Sequence, residues 1–369
     1  IPQAAHQRVV FGVGDLGGIG HVVEVLVSLD LAAQVRDLLL DAGWLAHRGY
    51  YRKFTTMSYG RAVLIYNPAA GRRRGRRARD IDQAMEILRE HVEEIDARAT
   101  AGPGSATELA RNACRSSADL VLASGGDGTI NEVVNGLAGS SVPLAVLPAG
   151  TANVLAVLLG LPLEGPAAAR LMPQLRPQRL SLGRVRCDLP APGSSRYFLL
   201  LAGAGLDAQI IYTLSGRLKS RLGVAAYWLA GFGQLGRRLE SFEVEVEGRR
   251  YACTFALASQ SAYYGGGLQI ARRAHLLAGE LEIVLFHSRS SFRYLLYLGA
   301  VISRTLERLP DVTFLRARSL DLRAVEGPPV RIEVDGELAG RLPARIDLVP
   351  DALTLLVPEA YLEAHPARG

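Results

Sequence analysis

Residues 119–132 read Asp-Leu-Val-Leu-Ala-Ser-Gly-Gly-Asp-Gly-Thr-Ile-Asn-Glu, and this stretch decides the predicted fold of the chain around it. Its first half is a short apolar run, typical of a strand buried in a parallel sheet. Three glycines follow, and they lack the Cβ atoms that would hold a phosphate away from backbone N–H groups. Thr129 and Glu132 stand in capping-box spacing, which predicts a helix whose positive end faces the loop.

The acidic residue of this turn has a predicted role of its own. Asp127 places one carboxylate where a phosphate-bound Mg²⁺ could be held. A tight strand-to-helix turn with a capping threonine is the structural alternative. Gly125 and Gly126 before the Asp, together with a capped helix after it, favour phosphate binding over that alternative.

Composition indicates a globular protein of two domains. The chain has 369 residues, 49% of them apolar and 21% charged, which suits two cores better than one. The net charge is +6, and Lys53 and Lys219 are the only lysines, so arginine supplies nearly all the positive charge. Much of it lies in residues 71–79. Nucleic acid, an anionic membrane or ATP phosphates would suit that run, as would a solvated loop.

Several classes of protein are disfavoured. Cys114, Cys187 and Cys253 are widely spaced without a Cys-x-x-Cys pair, which indicates reduced thiols in a cytosolic protein. The histidines show no zinc-binding spacing. No stretch reaches the roughly eighteen apolar residues of a membrane span. The most apolar windows, Leu222–Phe232 and Tyr294–Ile302, suit core helices or a surface that touches a membrane.

The first residues differ from the rest of the chain. Gly12–Gly17 formally matches a dinucleotide-binding fingerprint, but no further βαβ units continue it. We interpret the match as fortuitous. Residues 1–56 are interpreted as a leader, a linker or an upstream extension.

Residues 57–178 alternate strand and helix patterns and predict a nucleotide-binding α/β domain. The predicted strands are Ala62–Tyr66, Val92–Ala99, Leu120–Ser124 and Pro143–Leu147, and the predicted helices are Arg76–His91, Ala106–Cys114 and Thr129–Leu137. This order implies a parallel sheet covered on both faces.

Residues 179–349 change to short β-rich runs, which predict an antiparallel β-sandwich or barrel. The predicted strands are Arg179–Arg186, Arg196–Ala202, Phe242–Val246, Arg250–Ser259, Glu280–Phe286, Ser319–Arg323, Val330–Val334 and Ala344–Val349. Helical patterns interrupt them at 218–239 and 291–307. Residues 350–369 are expected to rejoin the first domain, since the two ends of an inserted domain lie close together.

The carboxyl ends of the predicted parallel strands carry glycine and small polar residues. Asn67 and Gly71 follow the first strand, Thr100–Gly104 the second, and Pro148–Asn153 the fourth. Each is an ordinary turn when taken alone. Because ligands of α/β proteins bind at this edge of the sheet, their convergence on Asp127 predicts a nucleotide site. In the second domain, spacing alone favours a hairpin turn at Asp335-Gly336.

These motifs, in this order, resemble those of diacylglycerol kinases. The residues that carry the resemblance are Asn67–Gly71, Gly125–Thr129 with Asn131-Glu132, Gly150-Thr151-Ala152-Asn153, Gly203–Ala208, Leu222-Gly223 with Tyr227, Gly265-Gly266-Gly267 and Asp335-Gly336-Glu337. The chain looks like a bacterial member of that lipid kinase family, which includes sphingosine and ceramide kinases. The resemblance covers residues 60–360. NAD kinases share the Gly-Gly-Asp-Gly-Thr run but resemble the chain less in the residues that follow it.

The resemblance implies ATP and Mg²⁺ as cofactors, with ATP bound between the domains. The residues it implies for ATP are Asn67, Pro68, Ala69, Ala70, Gly71, Thr100, Gly125, Gly126, Asp127, Gly128, Thr129, Ile130, Asn131 and Thr151. It also implies that Glu337 is the general base that takes the proton of the lipid hydroxyl, with Asp127 as the second catalytic residue.

Two positions depart from the family pattern. Diacylglycerol-specific members often carry Asp where this chain has Val154, and sphingosine kinases have a small apolar residue there. Bacterial members hold a structural Mg²⁺ through the Asp of an Asp-Gly-x-Leu turn, where this chain has Ala278. We expect that metal site to be lost, or rebuilt by Glu280 or Glu282.

The leading hypothesis is a lipid kinase that phosphorylates diacylglycerol, with a sphingosine- or ceramide-type acceptor as the alternative. Tyr227, Trp228 and Phe232 are candidates for contact with acyl chains. An NAD-kinase-like phosphotransferase and a non-catalytic lipid- or nucleotide-binding relative stay open. We expect a cytoplasmic protein in peripheral contact with the membrane and no nucleic-acid partner. A homodimer is compatible with the sequence.

Overall fold

The computed structural model describes residues 59–71, 77–187, 194–205, 239–264, 268–325 and 327–366. Several predictions lie outside these residues: those on 1–56, most of the arginine run, Gly265–Gly267, and the helix at 218–239 with Tyr227, Trp228 and Phe232.

The N-terminal layer is an α/β domain built on parallel strands. Strands β1 (Tyr59–Tyr66), β2 (Val92–Ala99), β3 (Leu120–Gly125) and β4 (Pro143–Pro148) lie in the order β2-β1-β3-β4, and every neighbouring pair is parallel. The helices are α1 (Arg77–Leu88), α2 (Ser105–Arg115), α3 (Asp127–Leu137), α4 (Val154–Leu159) and α5 (Gly165–Leu171). The predicted parallel sheet is confirmed.

Hydrophobic spacing explains these elements. All six residues of β3 are buried, as expected for a parallel strand covered on both faces. Helix α1 buries Ile81, Ala84 and Leu88, which are spaced by three and four residues along one helical face. Helices α4 and α5, of six and seven residues, were not predicted because each spans fewer than two turns, too short for a helical period to show.

The second domain contains antiparallel strands in three sheets, one of them only the β11–β12 pair, and the prediction of an antiparallel β domain is confirmed. Its strands are β5 (Leu175–Cys187), β6 (Ser194–Phe198), β7 (Leu201–Gly205), β8 (Phe242–Val246), β9 (Arg249–Cys253), β10 (Phe255–Ser259), β11 (Tyr263–Tyr264), β12 (Leu268–Gln269), β13 (Leu281–Phe286), β14 (Val312–Ala317), β15 (Ser319–Ala324), β16 (Arg331–Val334), β17 (Glu337–Arg341) and β18 (Ala344–Pro358). Helices α6 (Arg293–Ile302) and α7 (Glu359–Ala364) accompany them. A six-stranded sheet has the order β14-β13-β10-β7-β16-β17.

Strand β18 joins the two domains through a single sheet. It pairs antiparallel with β5 along most of its length and parallel with β4 at Thr354 and Leu355, so that ten strands form one sheet. The predicted end of this strand at Val349 was wrong. The strand continues past an irregularity between Val349 and Leu353, and a turn-like Pro350-Asp351 pair in the sequence conceals that continuity.

The chain changes sheets where one continuous strand, Arg250–Ser259, was predicted. Strand β9 belongs to the ten-stranded sheet and β10 to the six-stranded sheet. Thr254 lies between them, and its hydroxyl donates a 2.7 Å hydrogen bond to the carbonyl oxygen of Ser288. Strands β14 and β17 were not predicted. The helix predicted over 291–307 is shorter, and a 3₁₀ turn at Leu306–Arg308 follows it.

Candidate functional site

The loops after β1, β3 and β4 meet at one edge of the parallel sheet. The Nδ2 group of Asn67 donates a 3.3 Å hydrogen bond to Oγ1 of Thr129. The backbone N–H of Ala149 donates to the carbonyl of Gly125 at 2.9 Å. Gly71 packs so closely that a Cβ there would lie 2.6 Å from the carbonyl oxygen of Ala149. The structure thus brings together the strand ends that the sequence singled out.

The glycines of these loops first serve the packing of one loop on another. A Cβ on Gly150 would lie 2.5 Å from the Cα of Gly126, and one on Gly125 would lie 2.5 Å from the Cβ of Thr129. Real Cβ atoms do not approach other heavy atoms so closely, so any larger residue would move a loop. Gly125 is thus required by the closeness of Thr129, and Gly150 by the closeness of Gly126. Close approach of a phosphate to Gly125 and Gly126 stays a prediction.

Helix α3 begins two residues earlier than predicted, and the predicted capping box is wrong. Gly126 occupies the N-cap position without a side-chain cap, while Thr129 lies inside the helix. The Glu132 carboxylate instead accepts hydrogen bonds from the backbone N–H groups of Gly104 and Ala106 at 2.8 and 3.0 Å. It therefore caps the start of the neighbouring helix α2, a contact that local spacing does not reveal.

Asp127 ties the glycine loop to the start of helix α4. Its Oδ1 atom accepts a 2.7 Å hydrogen bond from the backbone N–H of Val154. Burial raises the pKa of Asp127, and the nearby Asp335 carboxylate adds to that rise, while the Val154 hydrogen bond opposes it. A carboxylate offers about four lone-pair sites, so this bond leaves acceptor capacity on Asp127.

The other residues that were predicted to contact ATP differ in how far they are exposed. Pro68 and Ala69 are exposed beside the half-buried Ala70, and the turn is held by a 2.8 Å bond from the Ala69 N–H to Oδ1 of Asn67. Thr100 is half-buried and Thr151 exposed at the ends of β2 and β4.

Ile130 was predicted to contact ATP, and this prediction is corrected. Its side chain is in the core, and its N–H donates to the carbonyl of Gly126. The side chain therefore packs the helix onto the sheet and offers no polar contact to a ligand.

Asp335 and Gly336 form the predicted hairpin turn between β16 and β17, with φ angles of 47° and 83°. Val334 pairs with Glu337 across the turn, and positive φ at both central residues is typical of the turns that join two strands tightly. The Asp335 carboxylate accepts hydrogen bonds from the N–H groups of Leu199, Leu200 and Leu201 at 2.9, 3.0 and 2.9 Å. Burial raises the pKa of Asp335, and these donors oppose that rise.

Asn131 joins this hairpin to helix α3. Its Nδ2 group donates to Oδ2 of Asp335 at 2.7 Å and to the Tyr197 carbonyl at 3.1 Å. Its Oδ1 atom accepts from Arg196 at 3.0 Å and from Asn135 at 3.2 Å. These bonds occupy both the donor and the acceptor groups of the amide. Asn131 therefore joins the two layers in this structure, and its contact with ATP stays a prediction.

Glu337 stands over the start of helix α3. A Cβ on Gly128 would collide with Oε1 of Glu337, so the absence of a side chain at Gly128 makes room for this carboxylate. Arg196 forms an ion pair with Oε2 of Glu337. Sequence reasoning did not identify Arg196, because it lies in an ordinary β-rich run about 140 residues from Glu337 and no motif marks it.

A cleft of about 830 Å³ opens beside Glu337. Its lining includes Arg111, Arg196, Arg331 and Arg341, with Glu132 as the second acidic residue. Glu132 is already engaged by backbone N–H groups. The excess of arginine suits a ligand that carries negative charge.

Ala278 lies close in sequence to the two acidic residues predicted to rebuild the metal site. Glu282, one of the two predicted replacements, is buried and accepts a 2.8 Å hydrogen bond from the backbone N–H of Arg273. Burial raises the pKa of Glu282. Within the described ranges, no three His, Cys, Asp or Glu side chains are grouped so as to hold a metal ion. Loss of the structural Mg²⁺ site stays a prediction.

No helix within the described ranges combines the length and the hydropathy that crossing a bilayer requires.

Two family models match this chain. The model described as the diacylglycerol kinase catalytic domain matches residues 61–185. The model described as the YegS C-terminal NAD kinase beta sandwich-like domain matches residues 201–357. The two matches follow the α/β layer and the antiparallel layer, and together they cover most of the chain. The two matched domains identify this protein as a lipid kinase. The α/β layer of this chain therefore carries the diacylglycerol kinase catalytic domain.

Curated relatives agree with this assignment. The chain is 29% identical over 304 residues to the diacylglycerol kinase of Mycobacterium tuberculosis, covering 81% of this chain and 96% of that protein. It is 29% identical over 291 residues to the diacylglycerol kinase of Bacillus subtilis, covering 77% and 91%. Among solved structures, a putative diacylglycerol kinase from Bacillus anthracis superposes with a TM-score of 0.70 at 22% identity, covering 85% of this chain and all of that chain. That likeness shows the shared fold.

Proposed function

We propose that this protein transfers the γ-phosphoryl group of ATP to a lipid hydroxyl, with diacylglycerol as the acceptor. The observation that carries the proposal is the position of Glu337. This carboxylate comes from the antiparallel layer and lies against Gly128, at the start of helix α3 in the α/β layer. An acceptor hydroxyl held there would lie near the Glu337 carboxylate. A phosphate held there would lie near the N-terminus of helix α3.

The α/β side supplies the proposed nucleotide site. The first N–H groups of a helix have no partners within the helix, and the helix dipole favours negative charge at that end. Helix α3 has eleven residues and starts at Asp127, and the loops carrying Asn67, Gly71 and Thr151 surround this start. We assign the ATP phosphates to this edge of the sheet.

Glu337 is the proposed general base. As the acceptor oxygen attacks the γ-phosphorus, its proton passes to the Glu337 carboxylate, and the bond from phosphorus to the β,γ-bridging oxygen breaks to release ADP. General-base assistance contributes on the order of 10²–10⁴-fold. Arg196 and Asn131 are proposed positioning residues. Arg196 bonds both Glu337 and Asn131, so it ties the base to helix α3.

Mg²⁺ is the proposed metal, because one carboxylate together with substrate phosphates is a common Mg²⁺ donor set. Bound to the phosphates, the ion would neutralise charge that develops during transfer. Asp127 is the residue that would hold it, since its carboxylate retains acceptor capacity beyond the bond from Val154.

The lipid acceptor rests on similarity and on chemistry. The curated relatives are diacylglycerol kinases, and a bilayer-embedded acceptor would bring the protein to the cytoplasmic membrane surface. Val154 is compatible with an acceptor lipid other than diacylglycerol. It places an apolar side chain next to Asp127, where diacylglycerol-specific members often carry Asp.

A transfer assay tests this proposal. Radiolabelled ATP would be incubated with the full chain, Mg²⁺ and each of diacylglycerol, monoacylglycerol, sphingosine, ceramide, phosphatidylglycerol and NAD. We expect label in diacylglycerol above all other acceptors. Label in sphingosine or ceramide alone would change the acceptor. Label in NAD alone, or in none of them, would refute the proposal.

A further inference from the structure

Helix α6 exposes a continuous apolar face. Phe292, Leu295, Leu296 and Ile302 are 62, 43, 48 and 67% exposed. Phe292 is the N-cap residue of the helix. At 100° per residue these side chains and Gly299 fall on one side of the helix, within an arc of about 120°. We call these five residues the α6 apolar face.

The opposite side of α6 is anchored to the protein. Tyr297, Ala300 and Val301 are buried. Arg293 donates through Nε to Oδ2 of Asp311 at 2.7 Å, and the Tyr297 hydroxyl donates to the same oxygen at 2.7 Å. Because this side is packed and hydrogen-bonded, the orientation of α6 is set and its apolar face points away from the core.

Exposed arginines precede and follow helix α6 in the chain. Arg289, Arg304 and Arg308 are exposed, and none of them has an ion-pair partner among the described residues. The two neighbouring acidic residues are already paired, Glu307 with Arg273 and Asp311 with Arg293. An apolar helical face on a helix preceded and followed by arginines matches helices that lie in the plane of a membrane interface.

We propose that the α6 apolar face is the surface by which this protein docks on an anionic lipid bilayer. The four side chains would enter the boundary between headgroups and acyl chains, and the three arginines would contact lipid phosphates. The inference rests on the proposed function, because an acceptor confined to a bilayer requires contact with it. A second protein copy would also suit an apolar face, but the arginines that precede and follow α6 would then face one another across a two-fold interface.

Vesicle sedimentation tests the proposal without using catalysis. The full chain would be mixed with vesicles of phosphatidylcholine containing phosphatidylglycerol, and with phosphatidylcholine alone. We expect Leu295→Glu combined with Leu296→Glu to weaken partitioning by about tenfold per residue. Each change puts a charge in place of apolar area that the bilayer would bury. Leu163→Glu is the matched control: Leu163 is 40% exposed in the α/β layer, and the variant should partition like the wild type.

Two further variants separate apolar from electrostatic contact. Arg304→Gln with Arg308→Gln should weaken binding to the anionic vesicles by about fivefold per residue and leave binding to phosphatidylcholine unchanged. Phe292→Gln, which changes one exposed side chain, should weaken binding to both kinds of vesicle. It replaces the double leucine variant if that variant does not fold. Folding is checked by the melting temperature and by activity on a short-chain diacylglycerol in solution.

The outcomes distinguish this inference from the proposed function. Wild-type partitioning by the leucine variants, in a protein that phosphorylates bilayer diacylglycerol, would overturn the docking surface alone. Wild-type binding that depends on α6, without phosphorylation of any lipid, would overturn the kinase proposal alone. A wild-type dimer that Leu295→Glu converts to monomer would identify the face as a contact between copies and overturn the bilayer proposal.

Discussion

Asn131 on helix α3 donates a 2.7 Å hydrogen bond to the carboxylate of Asp335, which is 204 residues further along the chain. This bond joins the α/β layer to the β16–β17 hairpin two residues before Glu337. The same carboxylate also accepts hydrogen bonds from three backbone N–H groups of residues 199–201. The position of the proposed base thus depends on a buried polar network that belongs to neither layer alone.

We expect Glu337→Gln to lower kcat by about 10²–10⁴-fold and to leave the affinity for ATP unchanged, because the amide keeps the shape but is a much weaker base. Single-turnover kinetics with separately measured nucleotide binding checks this. Glu363→Gln, on an exposed part of α7, should behave like the wild type. Wild-type kcat in the Glu337 variant would remove this residue from catalysis.

Arg196→Gln should lower kcat by about tenfold with a smaller effect on the KM for ATP, because the Glu337 carboxylate loses the partner that orients it. Arg196→Lys should recover part of the loss by restoring the charge. In a Glu337→Gln background the Arg196 substitution should have little further effect. Equal losses in both backgrounds would show that Arg196 acts independently of Glu337.

Gly128→Ala is expected to lower kcat by on the order of 10²-fold, since the new Cβ would displace Glu337 and misplacement of a reacting group by about 1 Å has such an effect. The measurement is steady-state kcat for the single variant and for Gly128→Ala in a Glu337→Ala background. If the collision is the cause, the effect disappears in that background. A loss of the same size there would point to direct damage at the loop.

Asp335→Ala should lower the free energy of unfolding by about 3 kcal/mol, because three buried N–H groups and the Asn131 amide lose their acceptor. Urea denaturation measures this. Asp321→Ala is the control: its exposed ion pair with Arg345 is worth at most about 1 kcal/mol. A loss below about 1 kcal/mol in the Asp335 variant would contradict a structural role for this carboxylate.

A pH dependence follows from Asp311. The hydrogen bond from Arg293 lowers the pKa of Asp311 from 3.8 to about 2. A folded-state pKa below the unfolded value stabilises the fold above about pH 4, and this stabilisation is lost as the pH falls toward 2. Screening by solvent limits it to about 1 kcal/mol. Denaturation of the wild type and of Asp311→Asn should therefore differ at pH 6 and converge near pH 2; a constant difference would exclude this ion pair as the cause.

Local patterns were sufficient for much of the α/β layer. The run from Leu120 through Gly128 predicts a buried strand, a glycine turn and a helix, because strand burial and turn geometry depend on neighbours in sequence. The hairpin at Asp335-Gly336 was predictable for the same reason. Helix α4 and strand β14 were not, since short elements show too little periodicity.

Capping and pairing partners required the tertiary structure. Thr129 and Glu132 have the spacing of a capping box, yet Glu132 caps helix α2 because that helix packs beside α3 and presents free N–H groups to it. Strand β18 continues through residues that read as a turn, because β5 pairs with both of its parts. The spacing of residues within one helix or strand does not show which neighbouring helix or strand a side chain will bond.

The amino-acid sequence by itself determined the class of fold, the glycine loop and the family, because these depend on residue types at short range and on the order of motifs. Only the tertiary structure decided that Gly128 accommodates Glu337, that Arg196 and Asn131 hold the base, and that Asp335 supports the hairpin. Those contacts join residues separated by 65 to more than 200 positions. The physical reason is that long-range packing, rather than local propensity, determines which polar groups meet once water is excluded.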